Sequence, residues 1–147
     1  MMNISITKKE YGTLLDMLCI ADWVLNLYTT KAPKLNEYDA LKQKFLSYFK
    51  EMDASDKIEF SSELNEYFET IEYEQSLSDN FIQPYENKLF WDELTQRLSE
   101  RDMIQKIGME QYSQMNPIER LKKVEEIKEQ YAQEFQKYGL ERLKIGA

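Results

Sequence analysis

The chain contains no histidine. That absence removes histidine-based catalytic triads, Cys–His nucleophiles and imidazole metal sites together. Its single cysteine, Cys19, permits no intrachain disulfide and fits a reducing compartment. Four glycines and three prolines are too few for a sheet-and-turn architecture, so helix is the expectation. No long apolar run exists. Residues 17–28 come nearest, but Asp22 and Asn26 interrupt them and they fall short of the ~20 residues a membrane span requires. The first eight residues lack the apolar stretch and cleavage site of an export signal. No membrane association and a cytoplasmic location are therefore expected. Glycine-rich phosphate loops and calcium loops are also missing.

What remains is an ordinary globular composition. The 147 residues, 42% hydrophobic and 31% charged, suit a single domain spanning 1–147 with a core large enough to need no metal or cofactor. The net charge of −8 argues against direct nucleic-acid binding, which calls for a positive footprint.

Periodicity and capping predict a compact all-α bundle of about five helices. The first opens at a capping box, Thr7 with Glu10, and runs to about Thr30. Apolar residues cover most of its circumference, leaving a narrow strip with Gly12, Asp16, Asp22 and Asn26. Cys19 and Trp23 fall within that strip, and Cys19 reads as an inert core residue. Asn36 caps a second helix whose stripe is Tyr38, Leu41, Phe45, Tyr48, Phe49 and Met52. A third is expected after Ser55, with Phe60, Leu64, Tyr67, Phe68 and Ile71 facing inward. Residues 75–87, with several Ser, Asp and Asn and Pro84, read as a loop. The fourth helix carries Phe90, Trp91, Leu94, Leu98 and Ile104 and stops at Gly108. A short helical turn fills residues 109–115. The fifth starts at Asn116 with Pro117 in first position and Glu119 in third, and ends at Gly139. Its stripe is Ile118, Leu121, Val124, Ile127, Tyr131, Phe135 and Tyr138. Two alternating stretches, Ile4-Ser5-Ile6 and Leu143-Lys144-Ile145, are able to pair as a short ribbon joining the termini.

Several segments are familiar together: Ile6-Thr7-Lys8-Lys9-Glu10-Tyr11, residues 16–26, Phe90-Trp91-Asp92-Glu93-Leu94, Leu98-Ser99-Glu100-Arg101-Asp102, and Tyr138-Gly139-Leu140-Glu141-Arg142-Leu143. Over nearly its full length the chain resembles a family of small uncharacterised bacterial proteins with no assigned function. The resemblance implies a bacterial cytosolic protein and supplies neither an activity nor functional residues.

Three constellations carry chemistry. Between residues 51 and 87 eleven acidic side chains face the single cation Lys57, a net charge of −10 that leaves +2 for the rest. Glu59, Glu63, Glu66, Glu69 and Glu72 are expected opposite the apolar stripe of the third helix. They form either a solvated face or a docking surface for a partner with a basic surface. On the fourth helix, Arg97 and Arg101 project within the apolar arc, which predicts acidic partners for them. Asp22 is the first choice for Arg101 and Asp16 the second, as ion pairs or as a polar pocket, and the other reading has the arginine stems lying over the core with their heads in water. Glu125, Glu126 and Glu129 reproduce half of a Glu-Glu-x-x-Glu magnesium motif, but the second half is missing. The best reading is a non-catalytic interaction or regulatory protein acting through the acidic helical surface. The alternative is a small-molecule-binding protein or carboxylate–magnesium enzyme built around Arg97, Arg101, Asp16 and Asp22. The sequence leaves homo-oligomerisation open.

Overall fold

The computed structural model describes residues 3–26 and 36–144, with the side chain of Asn36 excepted. The elements are α1 (Lys8–Asn26), α2 (Asn36–Leu46), β1 (Ile58–Ser61), β2 (Glu66–Glu69), α3 (Ile71–Leu77), a π-helical segment (Ser78–Ile82), α4 (Gln83–Ile107), α5 (Met109–Gln114) and α6 (Pro117–Tyr138). Among the described residues the fold is predominantly helical with one short two-stranded antiparallel ribbon, β1–β2. Packing divides the chain into two compact units, Met1–Pro84 and Tyr85–Ala147.

In the first unit, α1 begins where the capping box puts it. The Thr7 N–H donates to Glu10 Oε2 at 2.8 Å, and the Glu10 N–H donates back to Thr7 Oγ1 at 3.3 Å. The end expected near Thr30 falls outside the described residues. The helix buries Tyr11, Leu15 and Cys19, four residues apart, so the inward stripe runs beside Asp16 and Asp22. Met17 and Val24 are exposed, and the helix is therefore one-sided rather than covered all round. Against that stripe pack Leu46, Phe49, Ala54, Ile58, Tyr73 and Leu77. Burying a side chain such as Leu15 or Leu46 contributes about 1.5–3 kcal/mol. The Tyr11 hydroxyl keeps its polar tip satisfied by donating to the Phe45 carbonyl at 2.7 Å.

The largest departure from expectation is the third helix, which does not form at residues 58–69. The chain makes the β1–β2 hairpin there, with Ile58 opposite Glu69, Glu59 opposite Phe68, Phe60 opposite Tyr67 and Ser61 opposite Glu66. The turn closes through Asn65 in the left-handed region (φ 54°), a conformation that asparagine tolerates better than most residues. Strand alternation in Ile58-Glu59-Phe60-Ser61 prevailed over the three-and-four spacing of the aromatics. The ribbon expected between the termini is absent from the described residues: positions 4–6 and 143–144 are not strands, and Ile145 lies outside them.

Residues 75–87 are helical rather than a loop. Their turn-forming side chains are satisfied within the helix: Asn80 Nδ2 donates to the Ser76 carbonyl at 2.8 Å and Gln75 Nε2 to Asp79 at 2.8 Å. The winding widens to a π form at Ser78–Ile82, just before Pro84, which has no N–H to offer the preceding turn.

The second unit contains most of α4 with α5 and α6. Asn116 caps α6, its side chain accepting from the Ile118 N–H at 2.9 Å, with Pro117 in the first helical position. Gly108 (φ 85°) and Gly139 (φ 57°) end α4 and α6 in conformations that side chains resist. The inward face of α4 is Thr95, Ser99 and Met103, one step around the helix from the expected Phe90, Leu94, Leu98 and Ile104. The buried hydroxyls bond the preceding turn, Ser99 to the Thr95 carbonyl at 2.6 Å and Thr95 to the Trp91 carbonyl at 2.8 Å. Val124 and Phe135 are buried on α6, whereas Ile118 and Leu121 are exposed. Trp91, near the start of α4, meets Phe135, near the end of α6, at 5.5 Å between ring centroids.

Candidate functional site

The hairpin decides where the acidic residues point. On a two-stranded ribbon, alternate side chains face opposite sides. Ile58, Phe60, Tyr67 and Glu69 share the inner face, and Glu59, Ser61, Phe68 and Glu66 the outer. Glu59 and Glu66 are exposed on the outer face, Glu63 is exposed in the turn, and Glu72 is exposed on α3. The acidic surface thus lies on a ribbon and its flanks rather than along a helix. It also carries apolar area, since Phe60 and Leu64 are exposed at 45% and 62%.

Glu69 leaves that surface. It turns inward to Lys42, whose Nζ lies 2.7 Å from Glu69 Oε1 and 2.7 Å from Asp22 Oδ2. This triad lines a cleft of about 310 Å³ together with Cys19, Trp23 and Leu77. Burial alone would lower the Lys42 ammonium, but hydrogen bonds and charge from Asp22 and Glu69 outweigh it and raise the pKa. Burial would likewise raise Glu69, yet hydrogen bonds from Cys19 and Lys42 and the Lys42 charge hold it below its ordinary value. The Cys19 thiol is pushed well above its usual range, first by burial and then by Glu69 beside it. Asp22, Lys42 and Glu69 form a structural lock, with the Lys42 ammonium and the Glu69 carboxylate each favoured in charged form and the Cys19 thiol held protonated.

A second polar group ties β1 and α3 to α1. Asp16 Oδ1 accepts from the Tyr73 hydroxyl at 2.6 Å and lies 3.4 Å from Lys57 Nζ, which itself sits over the Tyr73 ring at 4.7 Å. Among the described residues no buried side-chain nitrogen or oxygen lacks a hydrogen-bond partner. Neither cluster therefore leaves an orphan group for a ligand to satisfy.

Asp16 and Asp22 belong to the first unit and Arg97 and Arg101 to the second, and each has a partner within its own unit. Asp22 and Asp16 are taken by Lys42 and Lys57. Arg97 pairs with Glu93 one turn earlier at 3.1 Å. Arg101 pairs with Asp102 at 2.7 Å and donates to the Tyr131 hydroxyl at 3.3 Å, and Tyr131 in turn donates to Asp102. The Arg101 side chain is 54% exposed and reaches its neighbours from the surface, which fits the reading with its head in water rather than a buried guanidinium. Glu125, Glu126 and Glu129 are exposed on α6. Among the described residues no group of three or more acidic or cysteine side chains is placed to hold a metal ion, and no helix is long and apolar enough to cross a membrane.

Sequence reasoning missed Lys42 and Gln43, which nothing in the one-dimensional pattern marks out. It also took Phe60 and Leu64 for core. The alternation at residues 58–61 was the available signal for the strand, and hence for the acidic outer face. No family model, no curated protein and no solved structure matches the chain, in keeping with its resemblance to proteins that carry no assigned function.

Proposed function

We propose that this is a non-catalytic interaction protein that receives a partner with a basic surface on its acidic hairpin. The observation that carries the reading is the display of Glu59, Glu63 and Glu66 beside exposed Phe60 and Leu64 on one ribbon. Acidic groups interleaved with apolar side chains suit a protein partner, because charge steers the encounter and buried apolar area holds the complex. A nucleic-acid backbone would be repelled by the same charges. The buried, unpaired Cys19 fits a reducing setting such as the cytoplasm.

The test separates placed charge from net charge. Association of basic peptides is measured against wild type, against the triple reversal Glu59→Lys, Glu63→Lys and Glu66→Lys, and against Glu125→Lys, Glu126→Lys and Glu129→Lys on α6. Both reversals change the net charge equally. The hairpin reversal should slow association about tenfold at low salt and the α6 reversal far less, with the difference fading as salt screens the charges. Equal slowing by both would overturn the reading.

A further inference from the structure

The fold treats the two edges of the β1–β2 ribbon differently. In an antiparallel pair, residues directly opposite alternate between those that exchange hydrogen bonds and those whose backbone groups point outward. The Thr70 N–H donates to the Lys57 carbonyl at 2.8 Å, one step beyond the Ile58–Glu69 pair. The Ile58–Glu69 and Phe60–Tyr67 pairs are therefore the outward-pointing ones. On the β2 side both outward groups of Tyr67 are taken: its N–H donates to Gln43 Oε1 and its carbonyl accepts from Gln43 Nε2, each at 2.8 Å. The Gln43 amide acts there as one residue of a third strand. On the β1 side the Ile58 N–H donates to the Ala54 carbonyl at 3.1 Å. The outward N–H and C=O of Phe60 meet no partner among the described residues.

We infer that the free edge of β1 receives an extended basic segment of the partner, which adds a third strand to the ribbon. This rests on the acidic-hairpin reading above and specifies how contact is made. Strand addition takes its affinity from backbone hydrogen bonds and its selectivity from alternate side chains. A strand beside β1 sets every second residue on the outer face next to Glu59, with Glu66 beyond on β2, and Glu63 lies in the adjoining turn. Opposite charges across neighbouring strands are favourable and like charges are not. The residues between them lie on the inner face beside Phe60, which is apolar and exposed. The fitting partner alternates basic and apolar residues. A second copy of this chain fits poorly, because it brings another Glu59 and Glu63 against the first pair.

The probe is a synthetic peptide of about eight residues alternating lysine and valine, long enough to overrun the edge. Its control is the same composition in two blocks. Two further versions carry backbone N-methyl groups, one on every valine and one on every lysine. In an antiparallel addition the residue opposite Phe60 is a valine exchanging both bonds, so methylated valines abolish binding and methylated lysines are tolerated. In a parallel addition the dependence is reversed. Binding should fall by about tenfold or more for one methylated set alone, and the block peptide should bind more weakly than the alternating one. The Phe60 amide should become slow to exchange when the peptide binds, whereas Tyr67, already held by Gln43, should exchange slowly throughout. Phe60→Pro removes the outward N–H without touching a ladder bond, and it should lose the peptide while keeping its helical content.

Loss of binding in the hairpin reversal, combined with indifference to both methylated sets and no protection at Phe60, overturns strand addition and leaves side-chain docking. Undiminished binding in the hairpin reversal overturns the acidic-hairpin reading itself. No binding of the alternating peptide overturns strand addition by this class of partner. If Phe60→Pro fails to fold, the methylated peptides and the exchange measurement still decide the matter.

Discussion

Replacing Lys42 with methionine removes the ammonium that stands between Asp22 and Glu69 and keeps most of the side-chain volume. The Lys42 side chain is 14% exposed, and those of Glu69 and Asp22 are 18% and 28% exposed. Both carboxylates are then left facing each other with little solvent. Removing one partner of a buried pair costs about 3–5 kcal/mol, and the remaining access to water places this case at about 3 kcal/mol at neutral pH. With a urea slope of about 2 kcal/mol per molar, the unfolding midpoint should fall by about 1.5 M. Trp23 lines the same cleft, so its fluorescence in a Trp91→Phe background reports on this unit. The pH dependence gives a second check. Glu69 is held below its unfolded value of 4.5, so its contribution is present above that pH and is lost as pH falls through the folded value. Lys42 is held above 10.5, so its contribution is present below that pH and is lost as pH climbs through the folded value. In Lys42→Met, burial acts on Glu69 without the ammonium to oppose it. The acid side of the profile should then flatten, because the Cys19 and backbone hydrogen bonds alone remain to hold Glu69 down. A loss below about 0.5 kcal/mol, the scale of a surface pair, or an unchanged acid slope would refute the reasoning.

Two further outcomes follow from the same geometry. Cys19 is 6% exposed and its thiol is driven up by burial, so a thiol reagent should label the native protein only as fast as the unit opens; labelling at the rate of a free thiol would contradict the buried placement. A double-mutant cycle between Arg101 and Asp102 should show weak coupling, at about 0.2–1 kcal/mol because the pair is half exposed; coupling above about 2 kcal/mol would contradict that exposure.

The helix ends were legible because capping is local chemistry. Thr7 with Glu10, Asn116 with Pro117, and the glycines at 108 and 139 each act within a few residues, and the structure uses all of them. Residues 58–69 were harder because their aromatics satisfy two periods at once, and tertiary packing broke the tie. As a strand with alternate residues turned inward, the segment delivers Ile58 to the Tyr11–Leu15 core. The loop expected at 75–87 failed for a related reason. Asn80, Gln75 and Asp79 favour turns when their side chains compete for the backbone, but here they bond one another and the preceding turn, so the helix continues. The acidic surface was visible as composition, but its members were not separable by sequence: whether Glu69 belongs to the surface or to Lys42 depends on a contact between residues 27 positions apart.

That separation explains why a ribbon too small to be stable alone can present a defined surface. Two paired strands are marginal in water without a third element to pack against. Here α2 supplies both fixings of β2: Lys42 takes the Glu69 carboxylate, and the next residue, Gln43, takes the Tyr67 backbone. Lys57, just before β1, is drawn to Asp16 on α1, and Thr70, just after β2, bonds the Lys57 carbonyl. Every one of these ties engages the inner face, the β2 edge or the base of the hairpin. The outer face and the turn, where Glu59, Glu66 and Glu63 stand, stay open, as does the backbone edge of β1 at Phe60. An acidic residue spent on the lock is lost to the surface, and Glu69 is that residue. Removing the lock should therefore loosen the surface without altering its charge, so Lys42→Met, at a urea concentration where it remains folded, should bind the alternating peptide more weakly than wild type while all the outer glutamates are intact. Undiminished affinity in that variant would mean that the ribbon holds its shape without α2.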